Sequence, residues 1–174
     1  MGKIQKVACI GAGLIGSSWA TLFSKNGLEV NVYDVNKEAL EESRRKIANN
    51  FKVMQENEII TEKEIDRAMA KINFYEDLES AIREVQFIQE CGYDHLETKR
   101  DILSKVDKFN STALFCSSTS FLMITDIALD SKYPERCIGA HPYNPPHLMP
   151  LVEITKTKKT NRENVKAAYN FYKS

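Results

Sequence analysis

The stretch His141-Pro142-Tyr143-Asn144-Pro145-Pro146-His147-Leu148-Met149-Pro150-Leu151-Val152-Glu153-Ile154 sets an imidazole at the end of one apolar run and a lone carboxylate inside the next. Flanked by Leu151, Val152 and Ile154, Glu153 is expected to be partly buried. A buried carboxylate is costly unless it is hydrogen-bonded or paired. An imidazole folded back by the intervening loop would meet that need. In return the carboxylate would fix its tautomer and raise its basicity, which makes His141 a candidate general base. The plainer alternative puts Glu153 on an exposed strand edge and leaves His141 an ordinary histidine.

A second chemical signal lies near the N-terminus. An apolar run over residues 3–10 reads as a strand, and Gly11-Ala12-Gly13-Leu14-Ile15-Gly16 follows at once. Ile15, Trp19, Leu22 and Phe23 then recur at helical spacing, and the helix should stop before Gly27. Residues 29–33 form another apolar run that ends in Asp34, 18 residues after Gly16. In this arrangement Gly11 permits the tight turn, Gly13 admits a pyrophosphate to the backbone, and Gly16 lets the helix pack closely. The phosphates would sit on the helix N-terminus, and Asp34 would accept hydrogen bonds from a ribose diol. An acid there repels a 2′-phosphate, which favours NAD over NADP. Without the strand, helix and acid, the same glycines would be only a tight loop.

Strand and helix patterns alternate around these two signals. Helices are expected over residues 37–56 with Asn36 as cap, 61–69 with a Thr61–Glu64 capping box, 77–84, 94–109, 124–129 and 161–172. Strands are expected over 71–74, 85–91, 113–116, 137–141 and 151–155, with residues 117–120 as a loop. Such alternation predicts an α/β Rossmann-type, doubly wound, mostly parallel sheet with helices on both faces, over one domain spanning residues 1–174. Ligands in such folds bind beyond the carboxyl ends of the strands, where Asp34, Cys91, Ser117 and His141 all fall.

The bulk numbers exclude other classes. Basic and acidic residues balance at 24 each, which argues against nucleic-acid and membrane-surface partners. No apolar run reaches the length of a membrane span, and the N-terminus lacks a signal-peptide pattern. Cys9, Cys91, Cys116 and Cys137 sit in or beside apolar runs without CxxC spacing, as expected of buried thiols in a reduced, cytoplasmic protein. Cys137, His141 and His147 lack the spacing of a metal site, so no metal is expected. His95 and His147 read as structural or solvent-facing.

Taken together, the glycine loop with Asp34, Gln89-Glu90-Cys91, Ser117-Ser118-Thr119-Ser120 and the block from His141 through Glu153 resemble the NAD-binding domain of the 3-hydroxyacyl-CoA dehydrogenase family. The likeness is greatest to its lambda-crystallin branch, which includes gulonate 3-dehydrogenase and is related to carnitine 3-dehydrogenase. The resemblance implies His141 as general base, Glu153 as the acid that orients it, and Ser120 as hydrogen-bond partner of the substrate oxygen. It implies Asn144 at the nicotinamide and substrate, and Asp94 and Lys99 at the cofactor ribose. Where the family usually has Pro-Glu, this chain has Tyr93-Asp94. The implied reaction is oxidation of the secondary alcohol of a 3-hydroxy acid or 3-hydroxyacyl-CoA, as in fatty acid metabolism, with NAD as acceptor. Pro142 replaces the aromatic residue that acyl-CoA members carry after the histidine, which favours a small polar acid. Family members continue into a helical domain that covers the substrate and forms a homodimer. Residues 1–174 correspond to the first half alone, so an NAD-binding module without turnover is the alternative expectation.

Overall fold

The computed structural model describes residues 3–174. Seven strands form one sheet: β1 (Lys6–Ile10), β2 (Glu29–Tyr33), β3 (Ile72–Tyr75), β4 (Phe87–Glu90), β5 (Leu114–Ser117), β6 (Cys137–Pro142) and β7 (Val152–Lys156). Their order is β3-β2-β1-β4-β5-β6-β7. The first six run parallel, and β7 returns antiparallel to β6 as an edge strand. The order reverses between β1 and β4, so a crevice opens at their carboxyl ends.

Alternation along the strands sends neighbouring residues to opposite layers. Val7 and Cys9 join a core with α1 (Leu14–Lys25), α2 (Lys37–Glu56), α3 (Glu62–Met69) and α7 (Arg162–Lys173). Ala8 and Ile10 join the other, with α4 (Leu78–Ile82), α5 (Leu96–Phe109) and α6 (Ile124–Ile127). Helix α7 docks through aromatic contacts, Phe171 stacking on Phe87 with centroids 4.0 Å apart. Each large apolar side chain so buried contributes roughly 1.5–3 kcal/mol.

The local signals explain the ends of these elements. Asn36 accepts from the Ala39 N–H at 3.2 Å, and Glu64 Oε2 accepts from the Thr61 N–H at 2.9 Å. The Thr61 hydroxyl donates to the same oxygen at 2.6 Å, and this bond first, with the N–H second, holds the Glu64 carboxyl below its ordinary value. Helix α1 closes with Leu28 N–H to Phe23 O and Gly27 N–H to Ser24 O, the paired bonds of a Schellman stop. Boundaries elsewhere move by one to three residues. Residues 85–86 precede β4, and residue 94 precedes α5. None of the described helices is long and apolar enough to cross a membrane.

Candidate active site

The glycine loop leaves β1 and enters α1. Gly11 has φ +101, and a Cβ there would stand 2.6 Å from Cys91 O, so both conformation and space require glycine. A Cβ on Gly16 would lie 1.8 Å from Gly11 O, which fixes how closely the helix meets the loop. Gly13 differs: its backbone is extended and a Cβ would meet nothing within 4 Å. Gly13 is also the N-cap of α1 and offers no side-chain cap, and the first turn carries no acid. The free amides of Leu14 and Ile15 and the positive helix end suit a diphosphate. Ala12 is buried, and its N–H donates to Asp34 Oδ2 at 2.9 Å. The Asn36 N–H donates to Oδ1 at 3.0 Å. Each Asp34 oxygen keeps a further lone pair for a ribose hydroxyl.

The second half of the site forms across β6 and β7. His141 and Glu153 are register partners, so their side chains share a face. His141 Nδ1 and Glu153 Oε2 are 2.8 Å apart. A carboxylate only accepts, so Nδ1 carries the hydrogen and Nε2 keeps the lone pair a base needs. Glu153 is not buried as its apolar neighbours suggested. Its side chain is 55% exposed because β7 is an edge strand with one open side. Val152 and Ile154 turn instead to the core under α7. The exposed-edge reading and the paired reading of Glu153 therefore both hold.

Ser120, His141, Glu153 and Thr155 line one cavity of about 420 Å³, together with Phe121 and Met123. The Ser120 hydroxyl donates to Asp94 Oδ2 at 3.1 Å. Asn144 is exposed at the start of the loop that joins β6 to β7. Lys99 lies elsewhere than on a cofactor surface. It is 1% exposed, and its ammonium donates to both Glu90 oxygens at 2.9 Å and to Gly92 O at 3.3 Å. With those three partners it has no proton left for a ribose. A larger hollow of about 580 Å³ lies on the other face of β7, chiefly apolar and away from these groups.

Three further groups near the site carry no chemical role in the sequence reading. Glu90 was part of a recognised block, yet its burial shows only once Lys99 is seen beside it; a carboxylate inside an apolar run was the available signal. His147 Nδ1 lies 2.6 Å from Ser18 Oγ, which also accepts from the His147 N–H at 3.2 Å, so the loop after Asn144 is tied to α1. Burial pushes the His147 imidazole below its ordinary value. Cys91 follows β4 beside the glycine loop, its thiol pushed up to about 12 by burial.

Residues 6–174 match the family model described as 3-hydroxyacyl-CoA dehydrogenase, NAD binding domain. The chain is 36% identical over 169 residues to an L-carnitine dehydrogenase/betainyl-CoA thioesterase of Rhizobium meliloti, covering 97% of this chain and 33% of that one. It is 34% identical over 172 residues to an L-carnitine dehydrogenase of Oceanobacillus iheyensis, covering 98% and 55%. It thus spans between a third and about half of those relatives' lengths. Among solved structures, 3-hydroxybutyryl-CoA dehydrogenase from Escherichia coli superposes with TM-score 0.94 at 26% identity, covering 98% of this chain and 36% of that one. A 3-hydroxyacyl-CoA dehydrogenase from Archaeoglobus fulgidus gives 0.81 at 33%, covering 97% and 53%. The glycine loop, the unblocked α1 terminus and Asp34 fit the cofactor these matches indicate, which is NAD. This chain belongs to the 3-hydroxyacyl-CoA dehydrogenase family and is an NAD-binding domain of it.

Proposed function

We propose that this chain carries the cofactor half and the general base of a dehydrogenase that oxidises the secondary alcohol of an L-3-hydroxy acid to the 3-keto product. The observation that carries the reading is the His141–Glu153 pair on the wall of a cavity that also holds Ser120. NAD supplies the hydride acceptor. His141 Nε2 takes the hydroxyl proton, and Glu153 holds the ring and offsets the imidazolium charge. Ser120 turns its hydroxyl from Asp94 to the substrate oxygen. Asn144 orients the nicotinamide end, and Asp34 the adenosine ribose. Residues 1–174 act as one dinucleotide-binding domain.

A small free 3-hydroxy acid is the favoured substrate, with carnitine first. Pro142 follows the base, and the relatives at 34–36% identity are named for carnitine. Gulonate, carnitine, 3-hydroxybutyrate and 3-hydroxybutyryl-CoA, each offered with NAD and followed by NADH absorbance, test this. Turnover of the thioester alone would overturn the free-acid assignment. A second reading, an NAD-binding module that needs a further domain for turnover, is supported by the chain's 55% span of the Oceanobacillus protein. NAD binding without NADH formation on any of the four substrates is its signature.

A further inference from the structure

The buried Glu90–Lys99 pair has no part in the proton and hydride chemistry. Glu90 ends β4 with its side chain 0% exposed, and Lys99 reaches it from α5. Replacing such a pair with apolar residues is often neutral or stabilising, so stability alone does not account for it.

Its contacts suggest a different task. The Ser117 hydroxyl donates to Glu90 Oε2 at 2.5 Å, and the Gly92 N–H donates to Oε1 at 2.7 Å. Lys99 donates to Gly92 O at 3.3 Å, so the pair grips both polar groups of one loop residue. The Cys91–Gly92 peptide in turn abuts the dinucleotide loop: a Cβ on Gly11 would lie 2.6 Å from Cys91 O and 3.1 Å from Gly92 N. On the other side, Lys99 Nζ stands 3.7 Å from Asp94 Oδ1, and Asp94 Oδ2 accepts from the Ser120 N–H at 3.4 Å and the Ser120 hydroxyl at 3.1 Å.

We propose that Glu90 and Lys99 are positioning residues that hold the 91–94 loop between the dinucleotide loop and Ser120. The phosphate end and the reacting end of the site are thereby kept in one register. The inference rests on the dehydrogenase reading of those two ends. Neither residue touches the reacting atoms.

Amide hydrogen exchange on the 174-residue chain tests it without any substitution. Gly92 lies in a loop, yet its amide should exchange as slowly as that of Ile88 in β4. Exchange as fast as that of the neighbouring exposed Tyr93 would overturn the proposal. The double variant Glu90→Gln/Lys99→Met removes both fully buried charges together; Asp94 loses its cation but is partly exposed and keeps its bonds from Ser120. It should unfold cooperatively, with Gly92 and Ser120 exchanging about tenfold faster or more. Its dissociation constant for NAD should rise by about tenfold or more, while Val30 in β2 is unchanged. NAD affinity within about twofold of the parent, with Gly92 and Ser120 unmoved, would equally overturn it. If the double variant does not fold, the exchange rates of the unmodified chain decide. If the unmodified chain fails to bind NAD, the dehydrogenase reading falls, and Gly92 exchange still judges whether the pair grips the loop.

Discussion

His141 and Glu153 stand directly opposite each other in the β6–β7 ladder, with Nδ1 and Oε2 2.8 Å apart. The backbone register brings them together. A slip of one residue would turn one of the pair to the core under α7. Tyr143 N–H donates to Leu151 O, which sets hydrogen-bonding positions at 143 and 141 and places Pro142 where no ladder donor is needed.

Replacing the proposed base should separate rate from cofactor affinity. In an enzyme assay of hydroxy-acid oxidation, His141→Ala should lower kcat by about 10²–10⁴-fold. NAD affinity should stay near that of the parent. Glu153→Gln keeps a hydrogen-bond acceptor but removes the charge. Because Glu153 is exposed, its effect should be smaller, on the order of tenfold. Near-normal turnover by His141→Ala would remove it from the mechanism.

Gly13→Ala and Gly16→Ala should part company. The Gly16 methyl would meet Gly11 O at 1.8 Å and should cost about 1–3 kcal/mol in urea unfolding. The Gly13 methyl meets no protein atom, so stability should stay within roughly 0.5 kcal/mol. NAD titration of the same Gly13 variant should nevertheless show weakened binding. Unchanged affinity there would mean that the diphosphate does not approach this residue.

Asp34→Asn should narrow the preference for NAD over NADP. Repulsion between surface charges about 4 Å apart is worth roughly 1–4 kcal/mol, enough for a tenfold change or more. The comparison is the ratio of the two dissociation constants in parent and variant. An unchanged ratio would show that Asp34 does not face the 2′ position.

The thiols should be silent in the folded chain. Burial pushes Cys91, Cys116 and Cys137 up to about 12 and raises Cys9 well above its ordinary value. At pH 8 a thiol with such a value is ionised at about one part in 10⁴, so a thiol-specific reagent should label only the unfolded chain. Because the folded values are raised, the native state holds protons that the unfolded chain releases near pH 9. Stability should therefore be fullest below that pH and fall as pH rises toward 12. Urea midpoints that climb between pH 9 and 11 would contradict the burial of these groups.

Much of this was legible in residue order. The cap at Asn36, the capping box at Thr61 and the helix stop at Gly27 are local hydrogen-bond patterns, and each lies within a few residues of its partner. His141 and Glu153 of the proposed base are also close in sequence, separated by |i−j| of 12, and one antiparallel connection joins them. Other features depended on distant chain. Glu153 looked buried from its neighbours, but exposure of an edge strand depends on what lies beyond it in the sheet. Lys99 looked like a cofactor contact, but it sits beneath the loop because α5 packs on β4 and turns it toward Glu90.

The amino-acid sequence by itself determined the kind and order of the elements, the chemistry of the phosphate turn and the two residues of the proposed base. Those follow from backbone periodicity and side-chain type over short spans. The tertiary structure decided the reversed strand order, the tie between Ser18 and His147 across 129 positions, and the placing of one carboxylate under the site and another on its rim. Sheet order and register minimise the summed packing cost of two whole layers, and no local window of residues encodes that sum.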